Sequence, residues 1–248
     1  MVGFNSFSLS LSLVCWLNGW SGVSSCLVSV VCALLLSSVW WRDVIRESTF
    51  GGQHTKKEQK GLYVGFVLFV CFEVMLFVSF FWAFLHSGLA PAVEVGCWFP
   101  PVGIQPFDPC GLPLVMTFVL ICSGFWVNSA MHALKSDSRP SCLRWLFFVL
   151  VLGCLFTLFQ AFEYTEAPFT MSDSVFGSCF FLITGFHGGH VIVGTIFLAV
   201  QWYRIWMFHF STGHHLGLEF AVWYWHFVDV IWLFVYAVVY IWGGWYGS

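Results

Sequence analysis

Six apolar stretches, each of 18 residues or more, occupy most of this chain: Val23–Trp41, Gly61–Ser87, Leu112–Leu134, Trp145–Phe162, Ser174–Tyr203 and Leu216–Tyr240. Crossing the hydrocarbon core of a bilayer takes about 20 mainly apolar residues in a helix. Inside that core every backbone N–H and C=O must be paired within the protein. Runs of this length and number therefore predict an all-α, polytopic transmembrane bundle over residues 1–248 as a single membrane domain. The only charged residues inside the six runs are Glu73, Glu219 and Asp229. Residues 4–20 are apolar but Ser-rich and short, and whether they add a first full span is left open.

Charge supports the same class. Only 8% of the 248 residues are Asp, Glu, Lys or Arg, against about 25% in a soluble domain. So few charges cannot cover a water-soluble fold, which excludes a soluble enzyme. A net charge of -3 offers no basic face to a nucleic acid.

All nine Lys and Arg residues fall in alternate connections, given a span at the start. Arg42, Arg46, Lys56, Lys57 and Lys60 follow the second span. Lys135, Arg139 and Arg144 follow the fourth, and Arg204 ends the sixth. The other connections carry Glu94, Asp108, Glu166 and Asp173 and no basic residue. Basic loops stay on the inner side of a membrane, so this pattern predicts their face and puts the carboxyl end outside. Trp40, Trp41, Trp98, Trp145, Trp202, Trp242 and Trp245 gather near span ends, as interfacial aromatics do. Gly177, Gly185, Gly188, Gly189 and Gly194 share one long run, where small residues admit a close neighbour.

The first charged side chain is Arg42. The expectation is that no Arg-rich transit peptide and no basic signal region precedes the first spans. Abundant Phe, Val, Trp, Cys and Gly with scarce Lys and Asn suggest a T- and G-biased organellar gene. Sequencing the encoding DNA tests this. Of the ten cysteines, Cys26, Cys32, Cys71, Cys122, Cys154 and Cys179 sit in apolar runs, where a thiol is a small hydrophobe. Cys97 and Cys110 share one Pro-rich loop, and a bridge between them is left undecided.

Glu73 and Asp229 fall near mid-span, where a carboxyl is partnered, protonated or functional. For Glu73 a proton-relay group and a protonated carboxyl bonded within the bundle both remain open. His226, three residues before Asp229, is placed to hold it as a structural intramembrane polar pair. His187 and His190 stand at i and i+3, and His209, His214 and His215 form an H-x4-HH string. No carboxylate at helical spacing completes a metal set beside His187 and His190, so no metal is expected. The H-x4-HH string is expected to meet lipid headgroups or a neighbouring chain.

Several longer strings are familiar. WWRDVIREST at Trp40–Thr49, FFWAFLHSGLAP at Phe80–Pro91, EYTEAPFTMSDSVFGS at Glu163–Ser178, FHGGHVIVGTIF at Phe186–Phe197 and HHLGLEFAVWYWHFVDVIWLFVY at His214–Tyr236 resemble the subunit III family of cytochrome c oxidases. The resemblance covers Trp40 to about Gly244, and Met1–Val39 matches in hydrophobicity alone. It implies seven transmembrane helices, two plus five, around a lipid-filled cleft. It further implies a non-catalytic subunit of respiratory complex IV, an enzyme only as part of that complex. Haem a and copper would lie in partner subunits I and II, with no redox centre here. Lipid contacts would map to Trp41, Arg46, Glu47, His54, Trp82 and Arg204. Glu73 would match a buried glutamate that supports proton uptake. Phospholipids, subunits I and II and accessory subunits are the implied partners. The mitochondrial inner membrane is the implied location, with basic loops on the matrix side and the carboxyl end in the intermembrane space. A bacterial plasma membrane is the alternative.

Two readings of other classes compete: a self-sufficient membrane metalloenzyme using the histidines, and a proton-coupled carrier using Glu73 and Asp229. A carrier usually shows paired halves with broken helices, and this sequence has no such symmetry.

Overall fold

The computed structural model describes residues 2–20, 22–93 and 96–245. Glu94 and the side chain of Trp245 lie outside the described residues. Seven long helices follow one another, with no strand among the described residues: α1 Val2–Leu17, α2 Val23–Thr49, α3 Lys56–Leu89, α4 Leu112–Lys135, α5 Arg139–Glu166, α6 Val175–Trp206 and α7 Leu216–Val235. The last continues through a π-helical segment, Tyr236–Trp242. Helices α2 to α7 are each long and apolar enough to cross a membrane, whereas α1 is shorter.

The helices overrun the apolar runs. α2 continues past Trp41 through Arg42, Asp43, Arg46 and Glu47, and α5 begins six residues before Trp145. Arg and Glu are good helix formers, so the helix runs on beyond the hydrocarbon. Local signals set several starts. Thr55 and Glu58 form a reciprocal capping box before α3, with the Thr55 N–H donating to Glu58 Oε2 at 2.7 Å and the Glu58 N–H to Thr55 Oγ1 at 3.4 Å. Ser174 Oγ accepts the Gly177 N–H at 3.1 Å at the start of α6. Proline occupies the first turns of α4 and α5, where a missing N–H costs nothing.

The chain divides into two compact units, Met1–Gly61 and Leu62–Ser248. In the first, α1 packs on α2. The serines of α1 have a specific use here. Asn5 Nδ2 donates to the Ser29 carbonyl at 3.1 Å, and the Ser8 and Ser29 hydroxyls lie 3.1 Å apart. Ser29 is the buried residue of α2, and the remaining apolar side chains of both helices are largely exposed.

In the second unit α4, α5, α6 and α7 close a ring of neighbours, with α4 adjoining both α5 and α7. Its centre is filled by Trp225, Trp232, Phe156, Met116, Leu120, Ile183 and Leu198, all essentially inaccessible. The buried indoles are satisfied across the ring. Trp225 Nε1 donates to Ser123 Oγ at 2.8 Å and Trp232 Nε1 to Thr117 Oγ1 at 2.9 Å. α3 lies against this ring through aromatic contacts. Phe66 stacks on Phe220 at 4.6 Å, and Phe84 packs on Phe176 at 5.6 Å.

The α6 glycines serve different ends. A Cβ at Gly188 would collide with the Gln160 carboxamide of α5, and one at Gly194 would press Trp225 of α7 at 3.1 Å. Gly177 abuts the Thr170 carbonyl, Gly185 lies near the Tyr164 hydroxyl, and Gly189 has nothing within 4 Å.

Candidate functional site

The carboxyl of Glu73, on α3, meets His190 of α6, with Oε2 and Nε2 2.9 Å apart. The His190 Nδ1 lies 2.6 Å from the Phe186 carbonyl oxygen, one turn earlier on the same helix. Both side chains are mostly buried, 22% exposed for Glu73 and 14% for His190. His187 turns the other way. Its Nε2 donates to the Val228 carbonyl at 3.2 Å, and its ring packs on Trp232 and Phe156. The i, i+3 spacing thus sends the two imidazoles to different helices. Among the described residues no three His, Cys, Asp or Glu side chains gather as a metal ion would require.

Asp229 Oδ2 lies 3.6 Å from His226 Nδ1. A third residue completes this cluster: His226 Nε2 stands 3.0 Å from Asn128 Oδ1 of α4. Asp229 also fits against Gly124, where a Cβ would come within 2.8 Å of Oδ2. Near the start of α7, His215 Nε2 is 3.1 Å from Glu219 Oε1, and the Tyr63 hydroxyl donates to Glu219 Oε2 at 2.9 Å. His215 is therefore engaged within the chain rather than free for a headgroup. His209 lies in the connection before α7, outside the membrane-spanning segments. Burial, and then the Arg204 charge, holds its imidazole below the ordinary range.

The residues assigned to lipid sit in both units. In the first, Trp41, Arg46 and Glu47 project from the exposed surface of α2, and His54 is half-buried in the turn before α3. In the second, Trp82 is 66% exposed on α3, whereas Arg204 is 8% exposed at the end of α6. The Arg204 guanidinium lies 4.2 Å over the Phe210 ring, and its Nη1 is 3.4 Å from Gln201 Oε1.

Comparison with known proteins gives this arrangement a context. The family model for cytochrome c oxidase subunit III matches residues 1–244. The chain belongs to this family. Proteins named cytochrome c oxidase subunit 3 from Nanger granti, Nanger dama and Antilope cervicapra are each 50% identical to it over 236 residues, covering 95% of this chain and 90% of theirs. The subunit III match begins at residue 1 and so takes in α1 and the start of α2. It extends the resemblance beyond the Trp40–Gly244 stretch that the quoted strings mark out.

Sequence reasoning missed three participants. The first is His190 as the partner of Glu73, 117 positions away in the chain, which no local pattern links. The second is Asn128, the single asparagine in the Leu112–Leu134 run, a signal that was available. The third is Glu163, which falls just past the run ending at Phe162. α5 carries on to Glu166, so Glu163 is only 2% exposed and accepts the Tyr240 hydroxyl on Oε2 at 2.8 Å.

Proposed function

We propose that this chain is the non-catalytic subunit III of a cytochrome c oxidase, packed on subunit I within a complex that carries electrons from cytochrome c to oxygen and pumps protons. The observation that carries this reading is the family match along nearly the whole chain. The redox chemistry, haem a and copper, then belongs to partner subunits I and II. The test is a mild-detergent purification through a tag on this chain, with a reduced-minus-oxidised spectrum before and after the chain is stripped off. Haem a and copper remaining with the core support the reading. Metal leaving with the stripped chain overturns it.

Within that reading, the chain is one membrane domain whose seven helices, α1 included, all cross the mitochondrial inner membrane. The basic connections face the matrix and the carboxyl end the intermembrane space. Trp41, Arg46, Glu47, His54, Trp82 and Arg204 hold phospholipid. A guanidinium binds a phosphate through charge-assisted hydrogen bonds, and exposed indoles suit acyl chains at the interface. Arg204→Ala is expected to lower the phospholipid retained after purification, measured by lipid mass spectrometry. Unchanged lipid content removes the headgroup role.

Glu73 supports proton uptake by the complex. Its mid-span position in α3 and its imidazole partner favour this role, since an intramembrane carboxyl is expensive to keep otherwise. Glu73→Gln preserves shape and is expected to assemble normally while slowing proton uptake in reconstituted vesicles. Loss of assembly in that variant makes Glu73 structural instead. His226 and Asp229, joined by Asn128, are a structural polar pair between α4 and α7.

A further inference from the structure

Asn128 is exposed on α4 within the membrane span, and its polar neighbours do not use it up. A carboxamide has two heads, an accepting oxygen and a donating NH2. Oδ1 meets His226 Nε2 at 3.0 Å. That ring nitrogen can occupy only one head, whichever way the amide is turned. The other head has no partner among the described residues. His226 beside it is itself 37% exposed, so the cluster opens on the outer surface where α4 meets α7.

Depth decides what can meet that free head. Asn128 lies seven residues before Lys135, and His226 ten residues after Leu216. At 1.5 Å per residue these are about 10 and 15 Å inside the helix ends. Lipid headgroups stay outside the hydrocarbon core, and acyl chains neither donate nor accept. Polar side chains at such depth bond to another helix. The ground around Asn128 suits one. Phe118, Cys122, Phe125 and Asn128 follow three or four residues apart, so they share a face of α4, and all four are exposed. Cys122 is small, and the large Phe118 and Phe125 flank it along the helix, which leaves a notch for a neighbour's side chain. Val230, one turn on from His226 in α7, is 49% exposed.

We propose that this face of α4 and α7 docks a transmembrane helix of another chain, which sets a hydroxyl or carboxamide against Asn128. Either group both donates and accepts, so it serves the free head in both orientations of the amide. The contacts around Asn128 are apolar and tolerate sliding, whereas one buried polar contact fixes the register of packed helices. Asn128 therefore sets the height of the incoming helix. The proposal rests on the proposed function for the source of that helix, a partner subunit, and not for the face itself.

The test is photolabelling of the natural complex in its membrane with a lipid-soluble carbene reagent, read residue by residue by mass spectrometry. Phe125 is expected to stay unlabelled there and to be labelled once the chain is stripped from the complex. Labelling of Phe125 in the membrane means that lipid covers the face, which overturns the proposal. An electron cryo-microscopy map of the same complex identifies the cover. A helix of another chain with an oxygen or nitrogen in hydrogen-bond reach of Asn128 is expected. Helix α2 of this chain, a second copy of the chain, or an acyl chain in that place overturns the proposal. Asn128→Leu is expected to lose the protection of Phe125 in the membrane while Leu120, on the buried face of α4, stays unlabelled. Protection that survives Asn128→Leu makes the contact purely apolar and also overturns the proposal. Should the variant fail to assemble, the map of the natural complex still decides. Haem a that does not follow the tagged chain defeats the subunit reading. Haem a that follows it, with Phe125 labelled from lipid, defeats this proposal alone.

Discussion

Tyr240 and Glu163 show how single side chains are balanced inside this bundle. The Tyr240 hydroxyl donates to Glu163 Oε2, while Glu163 Oε1 has no partner among the described residues. Tyr240→Phe would leave the whole buried carboxyl without a donor. Stranding a buried polar group costs about 1–3 kcal/mol, so this variant should lower the thermal midpoint of the purified complex, followed by loss of helical circular dichroism. An unchanged midpoint would mean that water already satisfies Glu163. At this scale the sequence was partly legible. Glu73 and Asp229 stood out because a charge in an apolar run is rare, and His226 because it lies one turn from Asp229. The His190–Glu73 contact was not legible, since it joins α6 to α3 and depends on how those helices face. Glu163 was hidden because the apolar run ends one residue before it.

Between elements, close approach is governed by a few small residues. Gly188 leaves room for the Gln160 side chain, which donates to the Thr184 carbonyl at 2.6 Å, while Gly189 faces open space. Gly188→Ala is expected to destabilise the α5–α6 contact by about 1–3 kcal/mol, as overpacking does, and Gly189→Ala to leave it unchanged. Matched thermal melts of the two variants would check the contrast, and equal effects would refute it. The glycine-rich run announced close packing, but not which glycine meets which helix. That depends on the rotation of α6 about its axis, and a run apolar on all sides does not encode it. Helix ends lie beyond the apolar runs for a related reason. Hydropathy marks where lipid stops, whereas the helices of this chain stop at their capping residues and prolines.

For the molecule as a whole, the alternation of basic and acidic connections predicts which loops face which compartment. Cys97 and Cys110 are free and exposed in the connection between α3 and α4, which the basic-loop pattern predicts to lie outside. A membrane-impermeant thiol reagent applied to intact mitoplasts should label both, with the signal abolished by Cys97→Ser and Cys110→Ser together. Labelling only after the membrane is opened would invert the orientation. Six of the seven long helices and their order were legible because each span must be apolar by itself, whereas the short, Ser-rich stretch of α1 left the first one open. The division into two units was legible only through the two-plus-five grouping that the family resemblance implies, because hydropathy is blind to which spans touch.

The indole bonds from α7 to Ser123 and Thr117 of α4 bear on how the chain is made. α4 leaves the ribosome roughly a hundred residues ahead of the tryptophans that its hydroxyls receive. Until α7 arrives, α4 and α6 lack the neighbour that closes their ring. Closure of the ring therefore waits on α7, the last of its four helices to be synthesised. Chains arrested before Leu216 should remain protease-sensitive in the membrane and bound to their insertase, while chains extended through Trp242 become resistant.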